Sequence, residues 1–206
     1  SQGTGGAVEE VSIEDKDPVI FFEHRWLHNI VGNVPKKNFK IKIGKANVIQ
    51  KGKDITIVSF SESLVQVMRI NNLLKKYSVN AEIIDLRSLR PLDEKTIIKS
   101  VKKTRNLIVV DNGWTKYGIS SEIISLISEK AFKFLKSAPV KIGIKNVSIA
   151  SSRELAKFSY LDSKTILISI LNVLNKKINI KNINKDVKIL QQFETDIPYK
   201  DFNGPF

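Results

Sequence analysis

The stretch AEIIDLRSLRPLDEKTIIKSVKKTRNLIVV, residues 81–110, predicts a strand, a turn, a helix and a second strand in succession. The apolar runs at its two ends are typical of buried strands. Between them, Pro91 precedes Asp93 and Glu94, whose carboxylates favour the positive end of a helix, and basic residues follow at the other end of that helix. Two strands joined by one helix form a parallel, right-handed crossover unit.

The sequence on either side continues this alternation. Residues 44–60 predict two strands joined by a turn at residues 51–54, hence a hairpin, and Ser61 is a candidate cap for the following helix. Farther along, the pattern predicts a loop, a helix, a short strand and a terminal helix, over residues 112–118, 119–135, 139–144 and 162–177. Either Asp162 or Ser163 can cap the terminal helix. We expect a three-layer αβα sandwich with a mostly parallel sheet of about five strands and one antiparallel edge strand.

Composition limits the classes of protein that fit. The chain has 206 residues, 42% of them apolar, and no cysteine, which excludes disulfides, thiol catalysis and cysteine metal sites. No apolar run approaches the roughly 20 residues that span a membrane, and the first residues lack a signal-peptide pattern. We therefore expect a cytoplasmic protein without a membrane partner.

The net charge of +13, from 34 basic and 21 acidic residues, raises the question of a polyanion partner. A basic stripe interleaved with aromatic residues would favour nucleic acid. Here the lysines are scattered over the predicted helices and tails, as in a composition that is rich in lysine, isoleucine and asparagine throughout. We predict no nucleic-acid binding.

The pattern divides the chain into four regions. Residues 1–17 are polar and Gly-rich, which suggests a loose leader or a cloning scar. Residues 18–44 predict a strand, PVIFFEH, followed by a linker. Residues 45–176 hold the α/β domain. Residues 177–206 lack a clear period and are expected to be an irregular tail, either a wrapping arm or disordered.

Two arginines, Arg87 and Arg90, follow the first strand of the crossover unit. Ligands and partners collect at the carboxyl ends of parallel strands, and guanidinium groups suit carboxylates or phosphates. These arginines are therefore candidates for binding an anion or a partner. The structural alternative is that they pair with Asp85 or Asp93 and stabilise the turn.

The loop after the next strand holds Asp111, Trp114 and Tyr117. Aromatic residues on such a loop predict a subunit interface, and the start of the following helix could bind an anion. A folded plug of the core is the alternative. Gly113 and Gly118 would permit a tight turn, but their spacing does not match a dinucleotide-binding loop.

Near the N-terminus, Glu23, His24 and Arg25 are expected to pack or form hydrogen bonds at a domain junction. His24 and His28 are the two histidines of the chain. Four-residue spacing would allow a metal pair, but no further ligand pattern accompanies them. We predict no metal site and no catalytic residue in this sequence.

Three segments together carry a resemblance to a known family: EHRWLHN, VPKKNFKIKIGKANVIQKGKDITIVSFSESL and IDLRSLRPLDEKTIIKSVKKTRNLIVVDNGWTKYGISSEI, at residues 23–29, 34–64 and 84–123. They resemble the C-terminal half of the beta subunit of 2-oxo-acid dehydrogenases of the pyruvate dehydrogenase type, which is a transketolase C-terminal domain. The likeness runs from about residue 17 to about residue 176.

The resemblance implies an enzyme that uses thiamine diphosphate and magnesium to decarboxylate a 2-oxo acid. It implies an α2β2 assembly in which this domain packs subunits together and docks the acyltransferase core. Residues 18–24 would be the last strand of a severed pyrimidine-binding domain. The motifs that hold the cofactor are missing from this sequence, so the fragment is predicted to bind no cofactor and to be inactive alone.

The implied partners are a second copy of the chain, the cofactor-binding domains or alpha subunit, and, as a further candidate, the acyltransferase core. Residues 147–164, VSIASSRELAKFSYLDSK, replace a proline-containing loop of the family, which affects the docking role. Two alternatives stay open. One is a transketolase or deoxyxylulose-phosphate-synthase relative in which Arg87 or Arg90 binds a substrate phosphate. The other is a stand-alone dimerising module.

Overall fold

The computed structural model describes residues 11–28, 41–156 and 158–190. The sheet contains five strands, which are β1 Asn47–Gln50, β2 Ile55–Ser59, β3 Ala81–Asp85, β4 Leu107–Trp114 and β5 Val140–Ile144. The described helices are α1 Ser61–Lys76, α2 Glu94–Thr104, α3 Ile119–Lys130, α4 Arg153–Ala156, α5 Ser163–Val173 and α6 Ile180–Leu190. Short 3-10 turns lie at Arg25–Leu27 and Phe132–Phe134.

The strand order is β1-β3-β2-β4-β5, with every neighbouring pair parallel except β1 and β3. Helices α1, α5 and α6 enclose a hydrophobic cluster on one face of the sheet. Helices α2 and α3 enclose a second cluster on the other face. The predicted three-layer sandwich, with its mostly parallel sheet and one antiparallel edge strand, is confirmed.

The crossover unit also forms as predicted. Asp93 caps α2, since its Oδ1 accepts a hydrogen bond from the backbone N–H of Thr96 at 3.2 Å. Its Oδ2 accepts from the N–H of Ala46 at 3.1 Å, which ties the same carboxylate to the chain entering β1. Helix α2 ends at Arg105, whose φ of 64° is left-handed.

The predicted hairpin over residues 44–60 is wrong. Strand β1 pairs antiparallel with β3. Strand β2 lies between β3 and β4 and pairs with both, so β1 and β2 do not pair with each other. The connection passes the start of β3, where the N–H groups of Lys53 and Asp54 both donate to the carbonyl of Asn80 at 3.0 Å. Two parallel partners give the apolar β2 a position buried on both faces, which a hairpin could not.

Three smaller predictions also fail. Ser61 is not the cap of α1, because Phe60 is the extended cap residue and Ser61 already belongs to the first turn. The helix predicted over residues 119–135 ends at Lys130 and continues as a 3-10 turn. Residues 18–24 form no strand, and within the described residues no neighbouring strand completes their backbone hydrogen bonds.

The irregular tail predicted from residue 177 is wrong for the part that the structure describes, because helix α6 lies there. Ile183 and Val187 are buried in the cluster formed with α1 and α5. Asp186 accepts hydrogen bonds from Lys76 Nζ at 2.6 Å and from the Tyr77 hydroxyl at 2.9 Å. Residues 191–206, and most of the predicted linker and leader, lie outside the described residues.

A buried polar network connects helix α2 to the start of strand β3 and to the connection between β1 and β2. The carboxylate of Glu82 accepts hydrogen bonds from Ser100 Oγ, from Lys103 Nζ and, at 3.2 Å, from the N–H of Gly52. Burial by itself would raise the pKa of Glu82, but these three donors outweigh burial and hold the pKa below 4.5.

This network predicts an acid-sensitive contribution to stability. Because the folded-state pKa of Glu82 is lowered, the contribution is present above about pH 4.5 and is lost as the pH falls through the folded value. We expect Glu82→Gln to reduce the free energy of unfolding at pH 7 by about 2 kcal/mol and to flatten its pH dependence below pH 4.5. Urea unfolding at several pH values measures both effects.

Glu94→Gln is the matched control, because Glu94 pairs with Lys130 at 2.5 Å on the exposed side of α2. An exposed pair contributes about 0.5 kcal/mol. Equal losses for the two variants would contradict the role assigned to Glu82.

Candidate functional site

The carboxyl ends of β2, β3 and β4 lie side by side, and the chain leaves each of them through a left-handed residue. Among the described residues, six non-glycine residues have positive φ. Three of these, Ser78, Arg105 and Asn175, lie just after helices, where this conformation is common. The other three, with φ between 53° and 59°, follow these strand ends, and they are Ser61, Arg87 and Tyr117.

Arg87 lies close to the end of β3 and is mostly buried. The side chain of Arg87 is 15% exposed and that of Asp85 is 3% exposed, and the Arg87 Nε lies 3.5 Å from the Asp85 Oδ2. The Asp85 Oδ1 also accepts from the backbone N–H of Arg87 at 3.3 Å. Burial raises the pKa of Asp85, and the charge and hydrogen bonds of Arg87 oppose that rise.

Arg90, three residues later in the same turn, lies in a different environment. It is exposed, and its side chain forms no ion pair with the residues that the structure describes. The expected structural partner Asp93 is occupied as the cap of α2 instead. The two arginines therefore do not form one cluster, and of the two only Arg87 is held in place by a carboxylate.

At the end of β4, Asp111 is buried and organises the local backbone. Its Oδ1 accepts from the N–H of Gly113 at 2.8 Å, and its Oδ2 accepts from the N–H of Ser120 at 3.3 Å. The carboxylate thus already occupies the start of α3 that could have bound an anion. Gly118 is required here, because a Cβ at that position would lie 2.7 Å from the carbonyl oxygen of Trp114.

The two aromatic residues of this loop are open to solvent. Trp114 is 54% exposed and Tyr117 is 99% exposed. The backbone of Trp114 is in register with Ile144 of β5, the strand at the edge of the sheet. An open depression next to Tyr117 continues along the first turns of α3. The loop therefore presents apolar surface at the carboxyl edge of the sheet.

Glu23, His24 and Arg25, which the sequence predicts at a domain junction, lie at the start of the first 3-10 turn. The Nδ1 of His24 accepts from the N–H of Trp26 at 3.3 Å. Burial lowers the pKa of His24, Glu62 opposes this effect, and His28 adds to it. Glu23 lies 3.5 Å from the Nε2 of His28. Within the described part of the chain, no group of three or more metal-ligand side chains occurs.

Sequence reasoning missed a set of polar side chains between the strand ends and the first turn of α1. The hydroxyl of Ser59 donates to the carbonyl of Val110 at 2.9 Å. The hydroxyl of Ser63 donates to the carbonyl of Phe60 at 2.7 Å and lies 3.2 Å from the Val110 oxygen. These contacts join β2 to β4. A serine at the end of an apolar strand was the available signal, but nothing local specified its partner.

A family model described as the transketolase C-terminal domain matches residues 44–166. The pyruvate dehydrogenase E1 component subunit beta of Drosophila melanogaster is 41% identical over 63% of this chain and 36% of its own length. The corresponding subunit of Cyanidium caldarium is 36% identical over 81% of this chain and 51% of its own length.

A solved structure described as a split-gene transketolase, an inactive beta4 tetramer, is similar in fold, with a TM-score of 0.59 and 21% identity over 72% of this chain and 48% of its own. The chain spans about half or less of the length of these curated relatives. No helix among the described residues is long and apolar enough to cross a membrane. The chain belongs to the transketolase C-terminal domain family.

Proposed function

We propose that this chain is the C-terminal assembly domain of a thiamine diphosphate-dependent 2-oxo-acid dehydrogenase of the pyruvate dehydrogenase type. The observation that carries the proposal is the identity of 36–41% to pyruvate dehydrogenase E1 beta subunits over 63% to 81% of this chain. In this role the domain holds no cofactor itself and works in the cytoplasm with the domains or subunit that do.

The interior of the strand-end site supports a role in assembly. The carboxylates of Asp85 and Asp111 bind neighbouring groups of this chain, and the Val110 carbonyl accepts a hydrogen bond from Ser59. The outer surface of the site, which carries Trp114 and Tyr117, is open to a partner. Exposed aromatic residues on a loop are typical of interfaces between subunits.

Calorimetry with thiamine diphosphate and magnesium tests the cofactor part of this proposal. We expect no binding of thiamine diphosphate tighter than about 100 μM by the chain alone, because in the proposed role this domain packs subunits together and other domains hold the cofactor. We expect 2-oxo-acid decarboxylation only after addition of the chain or chains that supply the diphosphate- and pyrimidine-binding domains. Micromolar cofactor binding or decarboxylation by the chain alone would reject the proposal.

The surface carrying Trp114 and Tyr117 also predicts self-association. Trp114 and Tyr117, the aromatic residues expected at a subunit interface, are both exposed. We expect replacement of both aromatic residues with serine to weaken association at least tenfold, since interface aromatics contribute about 2 kcal/mol each. Sedimentation velocity at several concentrations measures this.

Phe132→Ser is the control, because Phe132 is 70% exposed but lies at the far end of α3, after the helix. It should leave association unchanged. A chain that is monomeric at all concentrations, or a control as weakened as the double variant, would contradict the assigned surface.

A further inference from the structure

The backbone around Arg87 is held in a strained turn. The N–H of Ser88 donates to the carbonyl of Leu86 at 2.5 Å, which closes a three-residue turn with Arg87 at its centre, at φ 58°. A positive φ at the centre of such a turn is rare and costs free energy in a residue with a side chain. Strain of this kind is retained mostly where the presented group has a function.

The surrounding residues hold the turn in one geometry. The hydroxyl oxygen of Ser88 accepts a hydrogen bond from the N–H of Gly44 at 2.9 Å, which fixes the turn to the chain before β1. Asp85 binds both the backbone N–H and the Nε of Arg87. The guanidinium is therefore positioned before any ligand arrives, which reduces the ordering cost of binding.

The contacts that hold the turn leave the terminal nitrogens of the guanidinium unused. The terminal nitrogens Nη1 and Nη2 form no hydrogen bond with the residues that the structure describes. Neither of them is among the fully buried polar atoms that are left unsatisfied. Two parallel N–H bonds from these nitrogens match the two oxygens of a carboxylate or phosphate. The turn lies at the carboxyl edge of the sheet, one strand from the point between β2 and β4 where the strand order reverses.

We propose that Arg87 is an oxyanion-binding residue that takes a carboxylate or phosphate group on its two terminal nitrogens, and that Asp85 is its positioning residue. The bound group is either a carboxylate side chain of a partner polypeptide or the phosphate of a small molecule. The exposed Arg90 lacks the carboxylate brace and is not part of this site. This inference does not depend on the proposed role in the dehydrogenase.

Nuclear magnetic resonance of the arginine side chains tests the site in the chain alone, with inorganic phosphate or succinate added at constant ionic strength. We expect a saturable shift of the Arg87 Nε signal, with a dissociation constant below about 10 mM, and no saturable shift of Arg90. Tighter binding of phosphate indicates a small-molecule phosphate, and equal or tighter binding of succinate indicates a partner carboxylate.

The variants Arg87→Lys and Asp85→Asn are followed through the backbone amide signals of Gly44 and Ser88. We expect each to weaken anion binding at least fivefold, because lysine removes the planar fork and asparagine removes the charged brace. Thermal melting checks that both variants fold, and Arg87→Lys suffices should Asp85→Asn not fold. Equal shifts of Arg87 and Arg90, no saturation with either anion, or unchanged affinity in Arg87→Lys would overturn the proposal. None of these readouts involves thiamine diphosphate, so failure here is distinct from failure of the proposed function.

Discussion

Replacing Gly52 with alanine is expected to prevent folding or to reduce the free energy of unfolding by more than about 4 kcal/mol. A Cβ on Gly52 would lie 2.1 Å from the carbonyl carbon of Ala81 and 2.3 Å from the backbone nitrogen of Glu82. Both atoms belong to β3, which is paired on both sides and cannot move away. Urea unfolding followed by circular dichroism measures the loss.

Lys53→Ala is the matched control one residue away. The side chain of Lys53 is exposed, and its backbone N–H keeps the hydrogen bond to the carbonyl of Asn80 at 3.0 Å. A surface change of this kind alters stability by about 0.5 kcal/mol at most. A Gly52→Ala variant as stable as the control would show that β1 does not reach its position by crossing the start of β3.

The same glycine explains why one strand pairing was mispredicted from the sequence. A four-residue connection with a glycine between two strands looks locally like a hairpin turn. What decides the pairing is β3, whose first residue lies 29 positions after Gly52 and takes the place beside β2 that a hairpin would give to β1. Glycine is needed at position 52 because the backbone of β3, which comes later in the chain, passes close to it. The sequence pattern correctly marks a connection at this glycine, but a tight hairpin turn is not the reason for it.

The crossover unit was predictable because its signals are local. Asp93 and Thr96, three residues apart, form the cap, and the basic end of α2 is readable along the same helix. These contacts do not depend on any distant part of the chain. The fold class followed from them once the alternation of strands and helices was recognised.

The candidate site was predictable only in its location. Arg87 and Arg90 are equivalent by sequence, since both are arginines of one turn after a strand. Their difference comes from the buried end of β3, which places Asp85 against Arg87 and leaves Arg90 in solvent. Asp111 was assigned to an interface, whereas its carboxylate is directed at the backbone of its own loop and leaves the aromatic residues outside.

The packing of helix α6 could not be predicted from local sequence, because its contacts join residues about 110 positions apart. Asp186 binds Lys76 and Tyr77 of the α1 end, and the hydrogen bonds to both lower the pKa of Asp186. The hydroxyl of Tyr77 in turn has its pKa raised to about 12, first by burial and then by Asp186. Ile180, Ile183 and Val187 do recur at helical spacing, but nothing within residues 177–190 specifies the helix against which they pack.

Ile183→Ala in α6 is therefore expected to reduce the free energy of unfolding by about 2 to 4 kcal/mol. Ile183 is fully buried among side chains of α1 and α5, so its truncation leaves a cavity in the main cluster on that face. Thermal and urea unfolding measure the loss, and amide hydrogen exchange reports whether α6 opens separately from the sheet.

Ile180→Ala on the same helix is the control, since Ile180 is 47% exposed and its truncation removes little buried surface. Both variants make the same chemical change in one helix, so the difference between them reports mainly the burial of Ile183. A large loss for Ile183→Ala alone would place α6 within the cooperative core, because a separately opening helix would change its own exchange rates and leave global unfolding unaltered. Equal stability of the two variants, with equal exchange at the α6 amides, would contradict the docked helix and return residues 180–190 to the loose tail that the sequence suggested.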